Sequence, residues 1–470
     1  MKRKFGRIIS CAFTLCLLAV SLNYLMNLME RKEGVVKYQP FFEQEANFDV
    51  LFLGTSHVIN GVFPMELWND YGIVSYNFGG HGNEIATSYW VMENALDYTT
   101  PKLIVVDCLE LRRDAKLSSN SFSHWSFDAF PLSATKITAV RDLLSDPELS
   151  KASKITDPIE LLWNFSVYHA RWNDLGEDDF RVTVSLEKGA ESQIGVAVPQ
   201  DVPQIDRSEK LEEDTTAVEY LKKIIEICQE RGIDILLTYL PFPASVVEQK
   251  EANRVYDIAA EYGVNYINFL DMDIVDFDVD CNDPASHLNP SGARKVTDYL
   301  GTYIMENYQI PDQRNNPEYS SWFEDYEEYK AMRVRDLQAQ PDWDTYLMLL
   351  ADKNLDAVVE IINPGIWKNY VFVGLVENLG IDMSGVSDAT NYLIIHRGGI
   401  QAEAAALDMS ADTQMDTVLG LLRILYDESG EYNVYLNDEP CFLPDEDNNA
   451  KIRIYVRDSE TLNTVGQAVL

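Results

Sequence analysis

The chain predicts an α/β fold, a mostly parallel sheet wrapped by helices, behind an N-terminal membrane helix and ahead of a smaller α+β accessory unit. Three observations predict it. From about residue 45 to 310, short apolar runs alternate with amphipathic ones, and each run closes on a polar or glycine-containing turn. A charge-free apolar stretch opens the chain. Past Tyr308 the pattern turns acidic and aromatic, then shifts to short runs with two-residue alternation.

Ile8 to Met29 comprises 22 residues without a formal charge. At about 1.5 Å per residue, such a helix crosses a hydrocarbon core of roughly 30 Å. Lys2, Arg3, Lys4 and Arg7 precede it, which keeps the N-terminus in the cytoplasm and places the rest outside. A cleavable signal peptide is the alternative, since Ala19-Val20-Ser21 has the small residues of a processing site. The apolar run continues past that site to Met29, which favours an uncleaved, single-pass anchor over residues 1–30.

The α/β domain is assigned to residues 31–310. Val50–Leu53, Val74–Asn77, Leu103–Val106, Ile235–Tyr239 and Val264–Asn268 are short and apolar, as buried parallel strands are. Glu84–Leu96, Thr216–Glu230, Val246–Tyr262 and Pro290–Tyr308 carry helical periodicity, and Pro290 suits a first helical turn. Residues from about 112 to 213 interrupt the alternation for longer than a crossover needs. They predict a mostly helical insertion or lid, with Ile159–Trp172 its best helix.

Residues 311–340 form an acidic connector, and Trp322-Phe323-Glu324-Asp325-Tyr326-Glu327-Glu328-Tyr329 within it reads as a solvated helix packed by its aromatics. In the α+β unit of residues 341–470, a helix at Trp343–Lys353 precedes five predicted strands. These are Val358–Ile362, Tyr370–Val373, Tyr392–His396, Tyr432–Leu436 and Ile452–Val456, the last half-buried by its alternation.

Charge excludes one class of partner. With 76 acidic against 38 basic residues the net charge is −38, and no basic stripe with interleaved aromatics offsets it, so nucleic acid is not an expected partner. Cys108, Cys228, Cys281 and Cys441 lie beyond the anchor with no zinc-knuckle or CxxC spacing. They allow three disulfide pairings or buried free thiols.

In open α/β sheets, chemistry collects at the loops beyond the C-terminal strand ends. The run from Asp49 to His57 is a strand, a glycine turn and then Ser56 where a helix begins. There the Ser56 N–H and the helix dipole face a developing oxyanion. The plainer reading of Ser56 is a helix N-cap. Far along the chain, Asp283-Pro284-Ala285-Ser286-His287-Leu288-Asn289-Pro290 puts an acid and a histidine just before the last helix of the domain. Imidazole there takes a serine proton while a carboxylate holds its tautomer. Asp283 is preferred to Asp280 for that carboxylate, because the nearer residue has less loop to fold. In Phe78-Gly79-Gly80-His81-Gly82-Asn83, Gly80, with Gly79 next, is the expected second oxyanion N–H donor. Asn83 is either an oxyanion donor or a helix cap. Arg112, with Arg113, either binds an anionic glycan or is only solvated. His57 and His81, with Asp107 or Glu110, lack close metal-ligand spacing, and neither G-x-G-x-x-G nor a P-loop occurs, so no metal and no nucleotide cofactor is expected.

These blocks carry a resemblance. Residues about 45–310 resemble the SGNH hydrolase superfamily: Gly54-Thr55-Ser56 is similar to its first block, Gly-Asp-Ser, and Ser286-His287-Leu288-Asn289-Pro290-Ser291-Gly292 to its last. Two departures stand out. The third block, Gly-x-Asn-Asp, is replaced by Asp107-Cys108-Leu109-Glu110, and the usual Asp-x-x-His has Pro284 at the acid's place. The branch most resembled is the extracytoplasmic one of alginate O-acetyltransferases and the teichoic-acid D-alanylation protein. The resemblance implies a flavodoxin-like parallel-sheet sandwich and acyl transfer or ester hydrolysis on a cell-envelope polysaccharide. It also implies a membrane-bound O-acyltransferase as a partner. A non-catalytic envelope protein that binds or presents a glycopolymer is the competing class; the missing third block favours it, and the retained Ser56 and His287 favour the enzyme.

Overall fold

The computed structural model describes residues 2–44, 46–146, 153–181, 185–199, 202–284, 286–383, 386, 392–399, 401–406, 412–428, 431–443 and 450–470. Its first sheet has five parallel strands: β1 Val50–Gly54, β2 Ser75–Gly79, β3 Leu103–Asp107, β4 Asp234–Tyr239 and β5 Asn265–Asn268. They lie in the order β2-β1-β3-β4-β5, the doubly-wound order whose switch point falls between β1 and β3. Side chains alternate between two cores. Leu51, Leu53, Ile104, Val106 and Leu237 face one, and Val50, Phe52, Leu103, Val105 and Leu236 face the other. Helices Ile85–Ala95, Thr216–Arg231 and Val246–Tyr262 cover the first face; Ser56–Gly61 and Pro290–Asn307 cover the second. Outside the insertion, each strand and helix expected in this domain is present, with ends moved by one or two residues.

The helix Lys2–Met29 precedes the domain, and Arg7–Met29 within it is long and apolar enough to cross a membrane, with none of its most apolar window buried. A second helix, Lys32–Glu43, was not apparent in the sequence because Pro40 interrupts its pattern. It buries Tyr38 and Phe41 in the first core.

The insertion differs from expectation in two ways. Ile159–Trp172 is not one helix but Pro158–Leu162, Phe165–Tyr168 and a 3₁₀ turn His169–Asn173. The break falls where tertiary partners recruit side chains: Trp163 Nε1 donates to Met26 Sδ at 3.4 Å, and Asn164 Nδ2 to Glu30 Oε1 at 2.5 Å. The insertion is also less helical than its composition implied, since residues 187–197 run without regular structure across the domain.

The connector is the helix Ser321–Gln338, which packs Trp322, Tyr326, Tyr329, Arg333 and Leu337 inward. Beyond it, among the described residues, come the helix Trp343–Leu349 and nine strands. These are β6 Leu355–Ile361, β7 Tyr392–Arg397, β8 Gln401–Ala406, β9 Thr413–Thr417, β10 Gly420–Tyr426, β11 Tyr432–Leu436, β12 Glu439–Pro440, β13 Ile452–Asp458 and β14 Thr464–Val469. An antiparallel sheet β14-β13-β6-β7-β8 packs helices on one face and the sheet β12-β11-β10-β9 on the other. β13 is therefore buried on both faces rather than half-buried: Ile452, Ile454 and Val456 enter one core and Tyr455 the other. Tyr370–Val373, expected as a strand, lies in the helix Tyr370–Asn378. Asn369 Oδ1 caps it by accepting from the Val371 and Phe372 N–H groups, at 3.0 and 3.3 Å, and Phe372, Leu375 and Val376 give its buried face. Cys108, Cys228, Cys281 and Cys441 are all buried free thiols.

Candidate active site

The turn after β1 is built for close approach. Gly54 has φ of 153°, and a Cβ there would stand 2.6 Å from Val58 Cγ2 and 2.9 Å from Asp107 Cβ, so only glycine fits. Thr55, not Ser56, is the N-cap, its Oγ1 accepting from the His57 N–H at 3.2 Å. Ser56 is thereby the first residue of the helix, with a free hydroxyl and an N–H that has no acceptor one turn back.

That hydroxyl meets the distant histidine. Ser56 Oγ lies 2.8 Å from His287 Nε2, and His287 Nδ1 lies 2.6 Å from Asp283 Oδ2. His287 Nδ1 also lies 2.8 Å from Ser286 Oγ; the tautomer that places a proton on Nδ1, toward the Asp283 carboxylate, leaves Nε2 to accept a hydrogen bond from the Ser56 hydroxyl. Asp283 is held in turn by the Ser286 N–H at 2.8 Å, with the Ser286 hydroxyl 3.3 Å from both carboxylate oxygens. The four-residue spacing reaches the imidazole through this turn. Asp280 is elsewhere: fully buried, it accepts from Lys295 Nζ at 2.6 Å, Asn378 Nδ2 at 3.0 Å and the Asp276 N–H at 2.9 Å.

Two devices hold the histidine loop. Asn289 caps the following helix through Oδ1, which accepts from the Ser291 and Gly292 N–H groups at 3.0 and 3.2 Å. Its Nδ2 donates to Val279 O at 2.7 Å and Gly195 O at 3.0 Å. Residues 187–197 form a strap that touches both halves of the site. Near the serine, the Glu191 N–H donates to Ile59 O at 3.1 Å and Asn60 Nδ2 to Glu191 O at 2.7 Å. Near the histidine, the Ala197 N–H donates to Cys281 O at 2.9 Å and Asn282 Nδ2 to Gln193 Oε1 at 2.6 Å. Sequence reasoning missed this strap, which carries neither helical nor strand periodicity.

The glycines have other roles than those expected. The Gly80 N–H donates to Gly54 O at 3.0 Å, extending the β1–β2 ladder, and the Gly79 N–H donates to Asn77 Oδ1 at 2.9 Å. Neither N–H is free for an oxyanion. Both glycines are there for space: a Cβ on Gly79 would stand 2.8 Å from Thr55 O, and one on Gly80 would overlap the Asn83 amide. Asn83 is buried, its Oδ1 accepting from Ser126 Oγ at 2.6 Å, while its Nδ2 has no acceptor among the described residues. Arg112 is not merely solvated. It pairs with the fully buried Glu251 and, at 3.2 Å, with Glu110. A buried carboxylate demands such a counter-ion, and even so burial pushes Glu251 up to about 7.

Two further groups crowd the site. Asp107 ends β3 beside the Gly54 turn, with Oδ1 accepting from the Leu240 N–H at 2.9 Å and Oδ2 buried without a partner among the described residues; burial pushes its carboxyl up to about 7. His57 packs against Phe242 at 4.4 Å and His287 at 5.3 Å between ring centroids, and burial, with His287 beside it, pushes it down to about 3. It is a neutral wall of the site. On the other side of the same helix lies a cavity of about 350 Å³, lined by Lys37, Ile59, Gly80, His81, Trp125 and Glu191 among others. His81 Nε2 pairs there with Glu191 at 3.2 Å, and burial pushes the Lys37 amine down to about 8.

The site is thus a serine, a histidine and an aspartate in one hydrogen-bonded line, beside a cavity holding charged and aromatic groups. No protein-family model, curated protein or solved structure matches the chain, and the functional reading rests on this geometry.

Proposed function

We propose that this chain is a membrane-anchored, extracytoplasmic serine acyltransferase or esterase of SGNH type, acting on O-acyl groups of an envelope polysaccharide. The observation that carries the reading is the line Ser56 Oγ–His287 Nε2, His287 Nδ1–Asp283 Oδ2, at 2.8 and 2.6 Å. Ser56 Oγ attacks the acyl carbonyl as His287 Nε2 takes its proton, and Asp283 stabilises the imidazolium. The Ser56 N–H and its helix terminus face the oxyanion. The tetrahedral intermediate expels the alcohol, which takes the proton from His287 and leaves an acyl ester on Ser56. A glycan hydroxyl, or water, then gives its proton to His287 and attacks that ester; the second tetrahedral intermediate collapses to the acylated acceptor, and His287 returns the proton to the departing Ser56 Oγ. The cavity beside the helix supports a sugar substrate, since Trp125 offers an aromatic face and Lys37, His81 and Glu191 offer hydrogen-bonding groups. A membrane-bound O-acyltransferase is the proposed acyl donor.

The competing reading, a non-catalytic glycopolymer-binding protein, draws on the occupied N–H groups of Gly79 and Gly80. One experiment separates them. The full chain in detergent is expected to hydrolyse an activated acetyl ester and to take up a serine-directed fluorophosphonate, with Ser56→Ala losing both. Equal labelling of wild type and variant excludes the enzyme.

A further inference from the structure

Large apolar side chains left in water are costly, at roughly 25 cal/mol per Å², yet the insertion displays a group of them. Trp163 and Trp172 are the only exposed tryptophans among the described residues. Trp172 is 65% and Phe180 61% exposed, and Leu132 and Ile159 are exposed beside them in the same insertion. All five belong to the part of the chain that grips the outer end of the N-terminal helix. Trp163 Nε1 reaches Met26 Sδ at 3.4 Å, and Arg171, next to Trp172, caps the helix by donating to Met29 O at 2.7 Å and Glu30 O at 2.8 Å.

Height decides what this surface meets. Counted from Arg7, a hydrocarbon core of roughly 30 Å is crossed in about 20 helical residues, which brings its outer boundary close to Met26. The residues that touch Met26, Met29 and Glu30 therefore stand at the lipid–water interface, where amphipathic tryptophans collect. Leu132 and Trp163 also line a cavity of about 690 Å³ together with Asn23, Met26 and Asn27 of that helix, so these side chains sit at the same level as the helix's outer end.

We propose that the insertion is a collar that seats the domain on the bilayer, with Trp163, Trp172 and Phe180 in the headgroup zone of zwitterionic lipid. The net charge of −38, and Glu177 and Asp178 next to Phe180, argue against an anionic surface. The proposal rests on the N-terminal helix spanning the membrane, and the test keeps the two apart. The full chain is reconstituted in phosphatidylcholine vesicles carrying lipid brominated near the headgroup or near the chain end. The anchor reading predicts that the protein floats with the vesicles after an alkaline wash. The collar predicts that headgroup-proximal bromine quenches tryptophan emission by up to about a quarter, since two of the eight tryptophans lie in the collar, and more than deep bromine does. In Trp163→Phe/Trp172→Phe that quenching disappears; the exposure of both rings leaves the fold little affected. Flotation without quenching, or quenching unchanged in the variant, overturns the collar and assigns the face to a protein partner; failure to float overturns anchor and collar together.

Discussion

A serine hydroxyl is a weak nucleophile, and in the proposed reaction Ser56 depends on a proton acceptor whose tautomer another residue sets. Asp283→Asn offers an N–H to His287 Nδ1 in place of a carboxylate and favours the wrong tautomer, so kcat is expected to fall roughly a thousandfold or more, measured on an activated ester. Asp280→Asn weakens a buried link to Lys295 and should lower stability by about 1–3 kcal/mol in denaturant titration, with kcat changed by no more than about threefold. Asp107 gives a pH signature. Its carboxyl stands at about 7 in the folded chain against 3.8 ordinarily. Between those values the folded state keeps a proton that the unfolded state has lost. This group's contribution to stability therefore falls as pH rises from about 4 to about 7 and is flat beyond. Asp107→Asn, with no charge to desolvate, is expected to melt higher than wild type at pH 8, with the difference vanishing towards pH 4. At this scale the serine and histidine were legible because each stands in a short block at a strand end or helix start. The direction of the Gly80 N–H was not, because strand register decides it.

At the scale of elements, the strap of residues 187–197 joins the two blocks that would carry the proposed reaction. Gly189, at φ of 88°, lies so near β2 that a Cβ would stand 2.2 Å from Asn77 O. Gly189→Ala is expected to destabilise the chain by about 1–3 kcal/mol and to lower kcat as well, because displacing the strap loosens both Asn60 and Asn282. A fall in melting temperature with kcat unchanged would separate the strap from the site. The connector supports the strap from behind: Arg333, buried among Tyr329 and Phe63, pairs with Glu187 at 3.0 Å. Its aromatics are committed to packing at Trp322, Tyr326 and Tyr329, as their spacing on one helix suggested.

For the whole molecule, the C-terminal unit is not a freely tethered appendage. Val279 of the histidine loop belongs to its core, Asn378 reaches Asp280, and Arg294 pairs with Asp352 at 2.6 Å. One calorimetric transition is expected for both units rather than two, and Arg294→Met, which strands Asp352 and Glu66, should lower it by about 3–5 kcal/mol. The amino-acid sequence by itself determined the apolar N-terminal helix, the five parallel strands and the two blocks bearing Ser56 and His287, because periodicity and turn chemistry act over a few residues. Only the tertiary structure decided that Asp283 rather than Asp280 meets the imidazole, that Gly79 and Gly80 spend their N–H groups internally, and that Tyr370–Asn378 is a helix. It also decided that Gln401–Ala406, poor in strand formers, joins a sheet by pairing with β7. Each of those outcomes turns on which partner, far off in the chain, wins a hydrogen bond or covers an apolar face.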